Sequence, residues 1–283
     1  MLAKLLNSLE HTQKLAISAI FCVGALLPLN SQAVAKTKAK APEWKTSLTS
    51  SNYTNTIQNS YEQIHVSGMY LLGVTRTLPS LNSLINFNGG YTLEYTHKVE
   101  DTNRNGDWNN PSFSYRYIFG DGRIFKRVTT GFDSVIPVSR GARGRSMIFG
   151  MGPMLGWGFD MGRFSLNQKL NYIYTAFTYD TSLDGRMNSP HTASFSNNLG
   201  LKFSKYWSAA LVFVYVYAAD YEGIATTSTN TAGSISWTIA KNFSASLGLA
   251  TTSGTLTAMG DYHRLNIYDA NKANAFMDLT LTF

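Results

Sequence analysis

Apolar and polar residues alternate one by one along most of the chain after residue 63. A period of two is the signature of β-strands with two different faces. In residues 111–119, for example, four aromatic residues alternate with serine and arginine, and residues 243–254 alternate alanine and leucine with serine and glycine. No segment shows a convincing apolar stripe at helical spacing. The pattern therefore predicts an all-β chain.

The connections between these strands alternate in length. Short ones fall at residues 120–122, 160–163, 204–206 and 240–242, and longer polar ones fall near residues 98–110, 133–145, 177–191, 219–227 and 253–272. A soluble β-sandwich also alternates apolar and polar faces, but it has no reason to alternate short turns with long loops. A transmembrane barrel does, because its periplasmic turns are short and its outer loops are long. We therefore expect a transmembrane antiparallel up-and-down β-barrel.

The C-terminal sequence, ANAFMDLTLTF at residues 273–283, continues the alternation to the final Phe283. A last strand that pairs with the first leaves no unpaired edge in lipid. This terminal strand resembles the C-terminal signature of bacterial outer-membrane β-barrel proteins. The resemblance covers the N-terminal export signal and residues 61–283. It implies residence in the outer membrane of a Gram-negative bacterium and recognition of the last strand by the barrel-insertion machinery.

The N-terminal segment has the order of a secretory signal peptide, predicted to span residues 1–35. Lys4 and Lys14 precede an apolar run at residues 15–29, and the small-residue motif AVA follows at 33–35. The run is shorter than the ~20 residues that a membrane-spanning helix needs. Cys22, the single cysteine, lies within it, so the mature chain is expected to contain neither a disulfide nor a thiolate nucleophile.

The strand count follows from counting back from Phe283. Eleven strands fit near residues 63–76, 84–97, 111–119, 123–133, 146–159, 164–176, 192–203, 207–218, 228–239, 243–254 and 273–283. Bacterial barrels have even strand numbers. The polar leader at residues 36–60 is therefore expected to contribute one more strand, near residues 47–57. The prediction is twelve strands, with ten as the main rival.

Aromatic residues make up 13% of the chain and are sorted by strand end. Such sorting is typical of the two aromatic girdles at membrane interfaces. The girdle predicted beside the short turns comprises Phe119, Trp157, Phe159, Phe164, Phe203, Trp207, Trp237, Phe243 and Phe283. Towards the long loops lie Tyr91, Tyr95, Tyr172, Tyr174, Tyr215 and Tyr217.

The inward-facing positions are mostly glycine, serine, threonine and asparagine, with interspersed charges and an apolar strip. The charged side chains predicted to line the lumen are Glu94, Arg116, Arg127, Lys169, Lys202 and Asp278, with Asp160 beside them. The strip comprises Val212, Val214 and Val216 with Ile148, Met154 and Ile173. We predict a passive pore for small anionic or neutral solutes, with no cofactor and no catalysis. The alternative is a closed structural or adhesion barrel, in which these charges pair with one another and the loops do the work.

A third hypothesis is a lipid-modifying outer-membrane hydrolase that uses His65 and Ser67. An imidazole two residues from a hydroxyl places a base and a nucleophile on one face of a strand. The strand parity, however, turns both side chains towards the lumen and away from acyl chains. The expectation is therefore that the protein is not an enzyme.

Two loops have motifs that suggest other ligands. Residues 101–107 resemble the first half of a calcium-binding loop, but Ser112 stands where a bidentate acid is required, so we expect a polar turn and no metal. The basic loop at residues 140–145 (RGARGR) is expected to contact lipopolysaccharide phosphates. Because the chain is expected to be exported, nucleic acid is not an expected target of this loop.

Overall fold

The computed structural model describes residues 43–55, 66–96, 106–119, 127–254 and 273–283. The predicted signal peptide with Cys22, the start of the leader, His65 and residues 101–105 lie outside these ranges. The strands are β1 (Glu43–Asn55), β2 (Val66–Leu78), β3 (Ser83–Glu94), β4 (Gly106–Phe119), β5 (Arg127–Val135), β6 (Met147–Met161), β7 (Phe164–Phe177), β8 (His191–Lys202), β9 (Trp207–Ala219), β10 (Ala225–Ala240), β11 (Phe243–Gly254) and β12 (Asn274–Thr282).

The twelve strands form one closed antiparallel barrel in which each strand pairs with its neighbours in sequence. The ring closes between β1 and β12, whose register runs from Ser47↔Thr282 to Asn55↔Asn274. Beyond the strand end, the Phe283 amide donates to the Thr46 carbonyl at 2.8 Å, and the Thr46 amide donates to the Phe283 carbonyl at 3.2 Å. Closure gives every strand two partners, as lipid requires. The predicted fold class and the count of twelve are confirmed.

The first strand begins earlier than predicted. β1 starts at Glu43 rather than near residue 47, because β2 extends to Leu78 and offers Arg76 and Thr77 as partners for Trp44 and Glu43. Its alternation is weak, since the polar residues Ser50 and Asn52 lie on its outer face. Backbone pairing on both sides, rather than an apolar face, specifies this strand.

Helical structure in the described residues is confined to short segments. A single 3₁₀ turn, Pro79–Leu81, connects β2 to β3 and ends at Asn82 in the left-handed region. A short helix, α1, spans Arg140–Gly144. Ser139 is its N-cap residue, and the Ser139 hydroxyl accepts a hydrogen bond from the Ala142 amide at 3.1 Å. None of the helices described here has the length and apolarity needed to cross a membrane.

The two ends of the barrel differ in their connections. At the short-turn end, two residues join β6 to β7 and two join β10 to β11, and Gly162 takes a positive φ of 62° in the first of these turns. At the long-loop end, residues 136–146 and 178–190 form longer connections. The link between β9 and β10 is shorter than predicted, five residues closed by Asp220, whose carboxylate accepts from two amides. Glu43 and Phe283 both lie at the short-turn end.

The alternation in sequence becomes two faces of the barrel wall. Large apolar side chains point outward and remain exposed on the protein, as Leu170, Leu211 and Leu247 do at 42%, 50% and 63%. The inward positions of β6 are buried and small, with glycine at 150, 152, 156 and 158 and Met154 among them. An apolar outer face around a small, polar inner face suits a wall between lipid and water.

Candidate functional site: the barrel lumen

The structure places the six predicted charged residues on the inward face of the wall. Each stands opposite a small inward neighbour on an adjacent strand. The pairs are Glu94↔Ser67, Arg116↔Gly131, Arg127↔Gly158, Lys169↔Gly156, Lys202↔Ser208 and Asp278↔Ser51. Because the neighbours are small, the charged side chains project into the lumen with room around them.

Lys169 forms an ion pair with Asp133 across an intervening strand. β6 separates the two residues, and its inward glycines Gly152 and Gly156 stand opposite Asp133 and Lys169. The absence of side chains there lets the lysine reach the carboxylate. The sequence pattern missed this pair because it ended the strand at residue 133, whereas β5 runs to Val135. The sequence signal that could have indicated this pair is the series of alternating glycines along β6.

Acidic and basic side chains on the inward face are nearly balanced in the described strands. The basic ones are Lys45, Arg116, Arg127, Lys169 and Lys202, and the acidic ones are Glu43, Glu94, Asp107, Asp133, Asp160 and Asp278. The predicted mildly cationic lining left out three acidic residues, Glu43, Asp107 and Asp133, and one basic residue, Lys45. The inner charge is therefore mixed, and only Arg116, Asp133, Lys169 and Asp278 lie away from the two rims.

The charges are distributed unevenly around the ring. β4–β8, called the charged wall below, carry seven of them, whereas β9–β11, the neutral wall, contain no Asp, Glu, Lys or Arg at all. The neutral wall presents Val212, Val214 and Val216 inward together with serine, threonine and alanine. Its Ser236 and Ser246 hydroxyls are hydrogen-bonded to each other at 2.9 Å. One side of the lumen is thus ionic and the other is small and uncharged.

Several inward polar atoms lack a hydrogen-bond partner among the described residues. They are Asn109 Nδ2, Arg116 Nε, Asp133 Oδ1, Asn171 Oδ1 and Asp278 Oδ1. An unsatisfied polar group in a dry interior costs several kcal/mol, on the order of 2–7. These inward atoms are enclosed by the protein, and other atoms without a partner, such as Ser83 Oγ and Thr231 Oγ1, have outward parity.

A cavity of about 430 Å³ opens inside the wall at the long-loop end. Its polar lining includes Tyr53, Ser67, Thr92, Glu94 and Asn274. Ser67 faces this cavity rather than the outer surface, since it pairs with Tyr53 and Glu94 on the inward face. A hydrolase acting on bilayer lipids would need its nucleophile on the other face.

Aromatic side chains ring both ends of the outer surface. At the short-turn end the Trp207 and Trp237 rings stack with centroids 5.7 Å apart, and Phe164 and Phe203 are about half exposed. The other predicted members lie at the same end: Phe119, Trp157, Phe159, Phe243 and Phe283. At the long-loop end, the Tyr172 hydroxyl and His191 Nδ1 lie 2.7 Å apart. Rings with one apolar and one polar part suit headgroup regions.

A polar group on the outer face was not expected from the alternation. Trp157 Nε1 donates to Gln168 Oε1 at 2.6 Å, and Gln168 Nε2 donates to Asn197 Oδ1 at 2.6 Å. Gln168 and Asn197 are direct partners across β7 and β8. Each amide therefore satisfies the other where lipid offers no hydrogen bonds.

The loop motifs have local structural roles. The Arg140 amide donates to Asp107 Oδ2 at 2.9 Å, and the Arg140 guanidinium donates to the Gly106 carbonyl at 2.7 Å. Asp107 thus fastens the loop containing α1 to the start of β4. Within the described residues, no three His, Cys, Asp or Glu side chains come together as metal ligands would.

A closed antiparallel barrel with an apolar outer face, aromatic girdles and a polar interior defines a class of protein. The chain has the fold of bacterial outer-membrane β-barrel proteins.

Two solved structures are similar in fold. The NanC porin is 12% identical, with 83% of this chain and 98% of that chain covered and a TM-score of 0.54. An outer-membrane channel from Pseudomonas putida F1 is 9% identical, with 89% and 100% covered and a TM-score of 0.56. At these identities the likeness shows the fold. No protein-family model matches the chain, and no curated protein sequence matches it either.

Proposed function

We propose that the protein is a passive pore through which small hydrophilic solutes diffuse across the outer membrane. The observation that carries this proposal is the inner face, which combines many small side chains with charges of both signs. A filled structural barrel would need larger inward side chains to occupy the same space. The proposal requires no cofactor and no reacting group.

The size of the barrel supports a narrow pore. With twelve strands about 4.8 Å apart and tilted by about 40°, the backbone diameter is about 24 Å. Eight strands leave an interior just filled by side chains, and 16–18 leave an open aqueous channel. The many inward glycine, serine and alanine residues leave more of this intermediate lumen free than larger side chains would.

The near balance of inward charge bears on the solute. The sequence predicted anionic or neutral solutes from an excess of cations. With Asp107 and Asp133 also inward, weak overall ion selectivity is the better expectation. Neutral and internally balanced solutes therefore fit the lumen better than multiply charged anions.

Single-channel recording in planar bilayers tests the proposal. Purified protein should give discrete conductance steps. Ser246→Trp places a large ring on the inner face of the neutral wall and should lower the step size. Its matched control, Leu247→Trp, points to lipid and should leave the step size unchanged. A correctly folded barrel that never conducts would overturn the pore proposal.

We also propose that the long-loop end of the barrel contacts lipopolysaccharide. Arg143 lies in α1 and Arg145 follows that helix. Both side chains are exposed at the long-loop end, where they would contact lipopolysaccharide phosphates. Replacing both with glutamine should weaken stabilisation by lipopolysaccharide. Arg163→Gln, at the short-turn end, should not. Equal effects at both ends would contradict this contact.

We propose that the barrel-insertion machinery recognises Phe283. Its backbone pairs with Thr46, and its ring is 67% exposed. Phe283→Lys should lower the yield of heat-modifiable barrel in cells more than Asp278→Asn does. An unchanged yield for Phe283→Lys would refute this role.

A further inference from the structure

Four charged side chains lie in the middle of the lumen, and they fall into two groups. Asp133 and Lys169 neutralise each other in the ion pair described above. Arg116 Nε and Asp278 Oδ1 have no hydrogen-bond partner among the described residues, and both residues are half-buried. The middle of the lumen therefore contains one cation and one anion outside that ion pair.

Arg116 projects inward from the charged wall beside a glycine. Its inward partner on β5 is Gly131, whose own partner on β6 is Met154. The inward carboxylate of Asp133, two residues along β5 from Gly131, is already paired with Lys169. A planar fork of donors in such a position is suited to a carboxylate.

Asp278 stands among groups that suit an ammonium ion. Its partners on the adjacent strands are Ser51 and Ser246, both uncharged. On the same inner face, the rings of Phe276 and Tyr53 lie with centroids 6.0 Å apart. Aromatic faces attract cations, and a carboxylate adds the opposite charge, so this position suits an ammonium group.

The two charges are too far apart to neutralise each other. β4 and β12 are separated by β1, β2 and β3, which is one third of the way around the ring. In a barrel about 24 Å across, backbones so placed are about 20 Å apart, and the two side chains reduce the gap to about 10 Å. An extended chain spans about 3.3–3.6 Å per residue, so a peptide of two or three residues bridges such a gap with its two ends.

We infer that Arg116 and Asp278 make the lumen selective for zwitterionic solutes, with short peptides carrying free amino and carboxyl termini as the best fit. Arg116 receives the terminal carboxylate and Asp278 receives the terminal ammonium. The inference rests on the proposed pore and specifies its substrate class.

Four peptides of almost equal size test the inference: trialanine, its N-acetyl form, its C-terminal amide, and the form capped at both ends. Their efflux from proteoliposomes is followed by mass spectrometry at concentrations far below saturation. Trialanine should leave about fivefold faster than the doubly capped peptide, the factor expected for about 1 kcal/mol of charge interaction.

Each variant should remove the advantage of one terminus. Arg116→Gln should abolish the benefit of the free carboxylate, and Asp278→Asn that of the free amine. Arg116→Lys keeps the charge and should retain most of the preference. Lys202→Gln removes an inward cation near the short-turn end and should leave the preference intact.

The outcomes separate this inference from the pore proposal. If the wild-type protein conducts ions and releases all four peptides at one rate, zwitterion selectivity is wrong and the pore stands. If neither ions nor peptides pass through a folded barrel, the pore proposal itself fails. A loss of preference in Lys202→Gln equal to that in Arg116→Gln would also contradict the role given to Arg116.

Discussion

The charged wall and the neutral wall enclose one lumen, and their clearest difference lies on the inside. Every Asp, Glu, Lys and Arg side chain of the charged wall faces inward. The strands of the neutral wall contain none of these residues. On the outside both walls present the same kind of residue, such as Leu170 and Leu199 on one and Leu211 and Leu249 on the other. The outer faces of the two walls are therefore mostly apolar, with exceptions such as the Gln168–Asn197 pair, whereas the inner faces differ in charge.

This contrast suggests where solute selection is encoded. Residues at outward positions contact lipid hydrocarbon, so they do not contact the solute. Inner positions of β9–β11 supply a smooth uncharged surface, and those of β4–β8 supply ionic contacts. The variants below compare the two walls.

The largest expected effect comes from placing a charge on the outer face. Leu247→Arg on the neutral wall and Leu170→Arg on the charged wall should each destabilise folding in liposomes by about 2–4 kcal/mol, the cost of an arginine at mid-bilayer. Urea titration of the refolded protein measures both.

The inward controls for these variants are Ser246→Arg and Ser196→Arg. Both should stay within about 1 kcal/mol of wild type, because surface-like substitutions beside water are usually mild. If the inward and outward arginines cost the same on either wall, that wall does not separate lipid from water.

A glycine in each wall gives the next comparison. A Cβ added to Gly152 on β6 would overlap the Tyr172 carbonyl oxygen, which is backbone and cannot turn aside, whereas a Cβ on Gly233 of β10 would meet only Leu211 Cδ1 at 3.9 Å. Gly152→Ala should therefore cost about 3 kcal/mol, at the upper end of typical overpacking. Gly233→Ala should be neutral or slightly stabilising. Unfolding in urea distinguishes them, and equal costs would contradict the close approach of β6 to β7.

The smallest effect concerns polar contacts inside the lumen. Lys169→Met leaves Asp133 without its partner and should cost about 1–2 kcal/mol, reduced by the wet surroundings. Ser236→Ala removes one neutral hydrogen bond from the neutral wall and should cost about 0.5–1 kcal/mol. Raising the salt concentration should shrink the first cost and not the second. The same salt response in both variants would mean that Lys169 acts through packing alone.

The outer face of the barrel was predictable because it follows one local rule. Alternation alone located residues such as Leu247 and Leu199, and it located the girdle aromatics beside the short turns. β1 is different: its outer face includes Ser50 and Asn52, so its pattern is weak, and it was expected only because bacterial barrels have even strand numbers.

The contacts across strands were not predictable, because they depend on register. Asp133 meets Lys169 only when both residues stand opposite glycines of β6, and a shift of one residue would turn either side chain to the other face. In the sequence, Gln168 and Asn197 are polar residues at two positions where the alternation calls for apolar ones. The structure shows that they are one hydrogen-bonded pair on adjacent strands.

The most direct test of the central claim is the water accessibility of single cysteines along β11. In a Cys22→Ser background, cysteine is introduced singly at the inward positions Ser244, Ser246 and Ala250 and at the outward positions Ala245, Leu247 and Leu249. A charged, membrane-impermeant thiosulfonate is then added during bilayer recording. The account predicts modification and reduced current at 244, 246 and 250 only. Modification at the outward positions instead, or a barrel that reacts at none of the six, would contradict a water-filled lumen lined by this face of the wall.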